Sequence, residues 1–134
     1  MKLPKGALVA VCDGAKLSLF KNTGDEAQPS LTALNTPAVD DDNMGSGGRH
    51  QSSAANPDDS TQNEDAYAAG IAALLNKRAL SGGMEHLVVI AAPRTLGELR
   101  KHWHKALKSK LVGELAKDLT GSSTADIEAA IARA

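Results

Sequence analysis

Aromatic residues are almost missing from this chain: one Phe, one Tyr and one Trp among 134 residues. The core must therefore be built from Leu, Val, Ile and Ala, and there is little with which to stack on nucleic-acid bases. Cysteine is as scarce. Cys12 stands alone, which excludes a disulfide framework within the chain, and its place at a strand end suits a small buried hydrophobe. Long hydrophobic runs are lacking too. The apolar run at 7–11 is too short for a signal-peptide core, and nothing approaches the roughly 20 apolar residues of a membrane span. A cytoplasmic protein without a membrane partner is expected. A net charge of -1 carries no global polyanion-binding signature. No Walker loop, GxSxG or HExxH pattern occurs. The four histidines do not converge: His102 and His104 are two apart and would point to different helix faces, His50 lies in a polar stretch and His86 precedes a strand. No metal site and no cofactor are expected.

What is present is a globular composition, 42% hydrophobic, over a length that suits one domain, 1–134, with one modest core. The organising stretch is 85–120. Leu87, Val88, Val89, Ile90, Ala91 and Ala92 form an unbroken, β-branched apolar run closed by Pro93, which suits a strand buried on both faces. Thr95 followed by Glu98 has capping-box spacing. A long amphipathic helix is expected from there to Leu111, burying Leu96, Leu99, Trp103, Ala106 or Leu107, and Leu111. Its other side carries Arg100, Lys101, Lys105, Lys108 and Lys110. Beyond Leu111, periodicity does not separate a strand from continued helix, and 117–120 reads as a strand end or turn.

Around this stretch, 7–12 reads as a first strand. Asp13-Gly14 predicts a tight type I′ hairpin, which needs positive φ at both central residues. In the second strand, 16–21, Leu17 and Leu19 share one face and Phe20 the other; 31–35 is a third strand. Segment 36–62 is rich in Gly, Ser, Asn, Asp and Pro and holds almost no core-forming residue. It cannot offset its ordering entropy by burial and is expected to be mobile. A helix at 64–80 follows, with Tyr67, Ile71, Leu74 and Leu75 inward, Lys77 and Arg78 near its end and Gly82-Gly83 stopping it. A last short helix is capped by Ser123 against Asp126 and packs Ile127, Ala130 and Ile131 inward. The order βββ, α, β, α, β, α predicts an α/β fold, a mixed sheet with helices on both faces.

Two constellations carry candidate chemistry. Lys101, Lys105 and Lys108, spaced four and three on one helix, line one side. With Arg94 and Arg100 they could contact an RNA backbone through charge, which confers affinity without sequence selection; an ordinary solvated helix face would look the same. The second is Asp13, Arg94, Lys117 and Asp118. If the first and central strands are parallel neighbours, these gather at the carboxyl ends of the strands, where open α/β sheets place ligands, and an Arg there could grip a phosphate. Each equally suits a turn or a local ion pair.

Three blocks carry a family resemblance. Asp13-Gly14-Ala15 with Leu19-Phe20 resembles the DGA-x-x-x-LF opening of the bacterial host attachment protein family. The run from Ala92 to Arg100, APRTLGELR, resembles its APPRFLGELR signature. The run from Val112 to Thr120, VGELAKDLT, resembles its closing V-x-E-[IL]-x-KDLT. Order and spacing agree over nearly the whole chain. The resemblance implies kinship with the central domain of archaeal and eukaryotic peptide-chain release factors, hence a three-layer α/β domain. It also draws the eye to Gly47, Gly48, Arg49 and Gln51 in the long segment. The related release factors present a Gly-Gly-Gln tip whose glutamine helps place water at the peptidyl-tRNA ester; here two residues separate the glycines from Gln51, so the pattern is broken. The expected function is a non-enzymatic, cytoplasmic binding domain acting on the ribosome or another structured RNA. The alternatives are a hydrolase of peptidyl-tRNA (through Gln51) or of a phosphoester (through Asp13 and Arg94), and an adaptor that binds a protein partner and affects attachment to host cells indirectly.

Overall fold

The computed structural model describes residues 1–39 and 59–134. The chain runs β1 (Leu8–Cys12), β2 (Leu17–Asn22), β3 (Leu31–Leu34), α1 (Asp59–Leu80), β4 (Leu87–Ala91), α2 (Pro93–Arg100), α3 (Lys105–Lys108), β5 (Leu111–Ala116) and α4 (Thr124–Arg133). The strands form one mixed sheet in the order β3-β2-β1-β4-β5. β1, β2 and β3 are an antiparallel meander. β1, β4 and β5 are parallel, with Cys12 opposite Ala91 and Ala91 opposite Ala116.

The two central strands are buried at every position, as unbroken apolar runs in a covered parallel pair should be. Alternate residues feed two cores. Leu8, Ala10, Cys12, Leu19, Val89 and Ala91 meet Ile71, Leu75, Leu96, Leu99, Trp103 and Leu107 from α1, α2 and the segment leading into and through α3. Val9, Val11, Phe20, Val88 and Ile90 face Leu3 and, from α4, Ile127 and Ile131. The fold is three layers: α1, α2 and α3, then the sheet, then α4. The helix caps read from sequence hold at the end of the chain, where the Ser123 hydroxyl accepts from the Asp126 N–H at 3.1 Å. The stop of α1 also holds: Gly82 takes a φ of 80°, and the Gly83 N–H returns to the Arg78 carbonyl at 2.8 Å.

Four expectations are corrected. The long helix after β4 is two helices. The Lys101 and His102 N–H groups close α2 on Glu98 and Leu99. His104 is extended and caps α3, its Nδ1 accepting from the Ala106 N–H at 2.9 Å. Asn76 of α1 fills the gap, donating from Nδ2 to the His102 carbonyl at 2.9 Å and accepting at Oδ1 from the His104 N–H at 2.8 Å. The break is thus paid for by a residue of another helix, which local periodicity does not register. There is no capping box either: Pro93 opens α2 at its first turn, Ala92 offers no side-chain cap, and Thr95 is buried within the helix.

The β1–β2 connection is longer than a two-residue hairpin. Cys12 pairs with Leu17, and neither Asp13 nor Gly14 has positive φ. The Asp13 carboxylate closes the turn itself, as an Asx turn does. Finally, α1 starts at Asp59, so the last residues of the 36–62 segment are helical, and β3 ends at Leu34. Region 111–120, left open by periodicity, is strand β5 followed by a turn.

Candidate functional site

The parallel pairing of β1 with β4 meets the condition set for the second constellation. Asp13, Arg94 and the 117–120 turn all lie past the carboxyl ends of β1, β4 and β5. Asp13 is hydrogen-bonded there through both carboxylate oxygens. Its Oδ1 accepts from the Ala15 and Lys16 N–H groups at 2.8 and 2.7 Å. Its Oδ2 faces the Thr120 hydroxyl at 3.1 Å, which also lies 2.9 Å from Asp118 Oδ1. One hydroxyl proton serves one carboxylate at a time, and Thr120 sits between the two, linking the β1 and β5 turns. Gly14 is packed against α1: a Cβ there would sit 2.6 Å from Glu64 Cγ. Arg94 turns to Asp65 of α1, with Nη2 at 3.1 Å from Oδ1, rather than to Asp13. Arg94 is largely exposed and Asp65 partly so, so the pair contributes little to stability. Lys117 is exposed and forms no ion pair among the described residues.

Just inside this edge the Cys12 thiol is pushed up to about 12 by burial and then by the Asp13 charge. Asp13 moves the other way. Partial burial raises it, but the Ala15 and Lys16 N–H groups, the Thr120 hydroxyl and the Lys16 ammonium outweigh burial and hold it below the usual carboxylate range. Its stabilisation is therefore fully present above the unfolded value of about 4 and is lost as pH falls through the lower folded value. Glu98 has the same sign: burial raises it, and Lys101 and His102 lower it further. Urea midpoints followed through acid pH should fall below about pH 4, less steeply in Asp13→Asn, which keeps the turn-closing oxygen without the titration. Identical acid limbs for both proteins would refute the assignment.

Of the first constellation, Lys105 and Lys108 lie at the opposite end of the sheet, just before the start of β5, whereas Arg94 stays at the carboxyl-end edge, and most of the cations are paired locally. Arg100 places Nε and Nη2 on Glu114 Oε1 of β5 at 3.0 and 2.9 Å, while the Trp103 indole reaches Glu114 Oε2 at 3.3 Å. Lys101 pairs with Glu98 at 3.1 Å, which also meets His102 at 3.2 Å. Lys110 donates to the Met84 carbonyl at 2.9 Å. Lys105 and Lys108, on α3, are exposed and form no ion pair among the described residues. The break before α3 removes the single-helix geometry expected for Lys101, Lys105 and Lys108, since Lys101 ends α2 and the other two belong to the next helix.

Residues that sequence reasoning missed are the partners: Glu114, Asp65, Thr120 and Asn76. An Asn inside a helix, where its propensity is poor, was the one available signal. Gly47, Gly48, Arg49 and Gln51 lie outside the described residues. Among the described residues no His/Cys/Asp/Glu group suited to a metal ion occurs, and no helix is long and apolar enough to cross a membrane.

A search of curated proteins finds no match to the chain. Over residues 6–131 it matches the family model described as bacterial archaeo-eukaryotic release factor family 12, and with nearly its whole length inside that match, the chain belongs to this release-factor-related family.

Proposed function

We propose that the chain is a non-enzymatic, cytoplasmic binding domain of the translation machinery that docks on ribosomal or other structured RNA. One observation carries this: Lys105 and Lys108 remain exposed and unpaired on α3 among the described residues, while Arg94, Arg100 and Lys101 beside them in sequence are neutralised by Asp65, Glu114 and Glu98. Family membership supports the translation setting. Binding is favoured over turnover because the Asp13 oxygens already serve Ala15, Lys16 and Thr120, which suits a turn-building residue better than a base or nucleophile. An effect on attachment to host cells would then be indirect.

Sedimentation with purified ribosomes tests the reading. The protein should co-sediment at about 50 mM salt and progressively less toward about 200 mM, as a contact made through phosphates requires. Lys105→Glu/Lys108→Glu should stay in the supernatant at both. Wild-type protein that never co-sediments at low salt ends the proposal.

A further inference from the structure

The exposed lysines of α3 do not stand alone. Asn76 binds the backbone on both sides of the break before α3, at His102 and His104, so the last turns of α1 are fixed against the start of α3. Lys77 follows Asn76. It points out to solvent, since Ala68, Ala72, Leu75 and Ala79 mark the buried side of α1. Arg78 is about 200° round the helix from Asn76 and falls on the far flank. Lys77, like Lys105 and Lys108, makes no ion pair among the described residues.

We infer that Lys77, Lys105 and Lys108 form one composite phosphate-binding surface, assembled from α1 and α3 by Asn76, and that its ligand is the sugar-phosphate backbone of double-helical RNA. This rests on the translation reading above and names the ligand of the same site. Charge complementarity selects a polyanion. Lysines act as point charges and lack the planar fork that reads base edges. Trp103 and Phe20 are buried and Tyr67 half-buried, so no Phe, Tyr or Trp offers an exposed platform for splayed single-stranded bases. A helix recognised by backbone and shape remains.

The experiment is binding of the whole protein to a blunt RNA duplex of about 20 base pairs and arbitrary sequence, a length that accommodates a small domain's footprint, titrated over salt. Circular dichroism verifies that each variant is folded. Lys77→Glu, which lies outside α3, should weaken binding several-fold and make the salt slope shallower by about one unit. Lys105→Glu/Lys108→Glu should weaken it further. Arg133→Glu, on α4 at the opposite face of the sheet, should bind as wild type does. Wild-type affinity in Lys77→Glu beside a loss in the α3 variant overturns the composite surface and leaves the proposed function standing. A wild-type protein that sediments with ribosomes but ignores the duplex overturns the double-helical ligand and leaves the proposed function standing on another ribosomal RNA structure. Equal weakening by Arg133→Glu also overturns the composite surface, because binding would then follow total charge. A wild-type protein that binds neither ribosomes nor duplex overturns both proposals.

Discussion

Replacing Asn22 with Ala should lower the free energy of unfolding by about 3 kcal/mol, the order expected when several buried backbone groups lose their partner together. Asn22 ends β2, is fully buried, and has no apolar role. Its Nδ2 donates to the Leu3 and Pro4 carbonyls at 3.0 and 3.2 Å. Its Oδ1 accepts from the Gly24 and Ser30 N–H groups at 3.0 and 2.9 Å. One side chain thus ties the chain before β1 to the loop between β2 and β3; besides these four main-chain groups it reaches the Asp25 carbonyl at 3.4 Å, and of the four the Pro4 carbonyl also accepts from the Ala7 N–H. Alanine leaves all four without the side chain. Some sit near the surface and regain water, so the loss is less than four full desolvation penalties. For a chain of this length the melting temperature should drop by roughly 10 °C. Asn22→Asp separates the two halves of the role, since it keeps the acceptor, loses the donor and buries a charge, and it should be at least as damaging. Urea unfolding of the three proteins decides the matter; a loss under about 1 kcal/mol for Asn22→Ala, a single ordinary hydrogen bond's worth, would mean that the loop re-satisfies itself without the side chain.

The second large effect is expected at Leu107. A helix of one turn has no stability of its own, and Leu107 is the one buried residue of α3, at 0% exposure. Truncating a leucine so enclosed costs about 3 kcal/mol. Leu75→Ala, at 0% exposure in the same core, should cost a similar amount, yet the two should differ in hydrogen exchange. The Lys108, Ser109 and Lys110 N–H groups bond back to His104, Lys105 and Leu107. In Leu107→Ala they should exchange by local opening, well ahead of the β4 amides. In Leu75→Ala their protection relative to β4 should be unchanged. Uniform loss of protection in Leu107→Ala would show that α3 is held by Asn76 and the His104 cap rather than by its leucine.

These two residues mark what the sequence could and could not convey. Leu107 belongs to an apolar spacing that left it or Ala106 as the inward residue of its turn, while the apolar runs of β1 and β4, the alternation of Leu19 and Phe20, and the capped last helix were legible outright. Such features are local and periodic. Asn22 was invisible because its meaning lies in partners as far away as Leu3 and Ser30. The same reason accounts for the undivided helix expected after β4: only Asn76, from α1, makes the break affordable in hydrogen bonds. At the candidate site, the gathering of Asp13, Arg94 and Asp118 past the strand ends followed from a parallel pairing that sequence could pose only as a condition. The cations of 94–110 could be counted in the sequence but not discounted, because Asp65 and Glu114, which neutralise two of them, are far from Arg94 and Arg100 along the chain.

The enclosed thiol of Cys12 has a consequence for how this protein meets oxidants and electrophiles. Nucleophilic sulfur chemistry needs the thiolate. With its ionisation pushed up to about 12 by burial and by the neighbouring Asp13 charge, the native state holds almost none at neutral pH and offers no path to it. Disulfide exchange, alkylation and oxidation at this position therefore belong to the opened chain, so the lone sulfur serves as a chemical clock for unfolding.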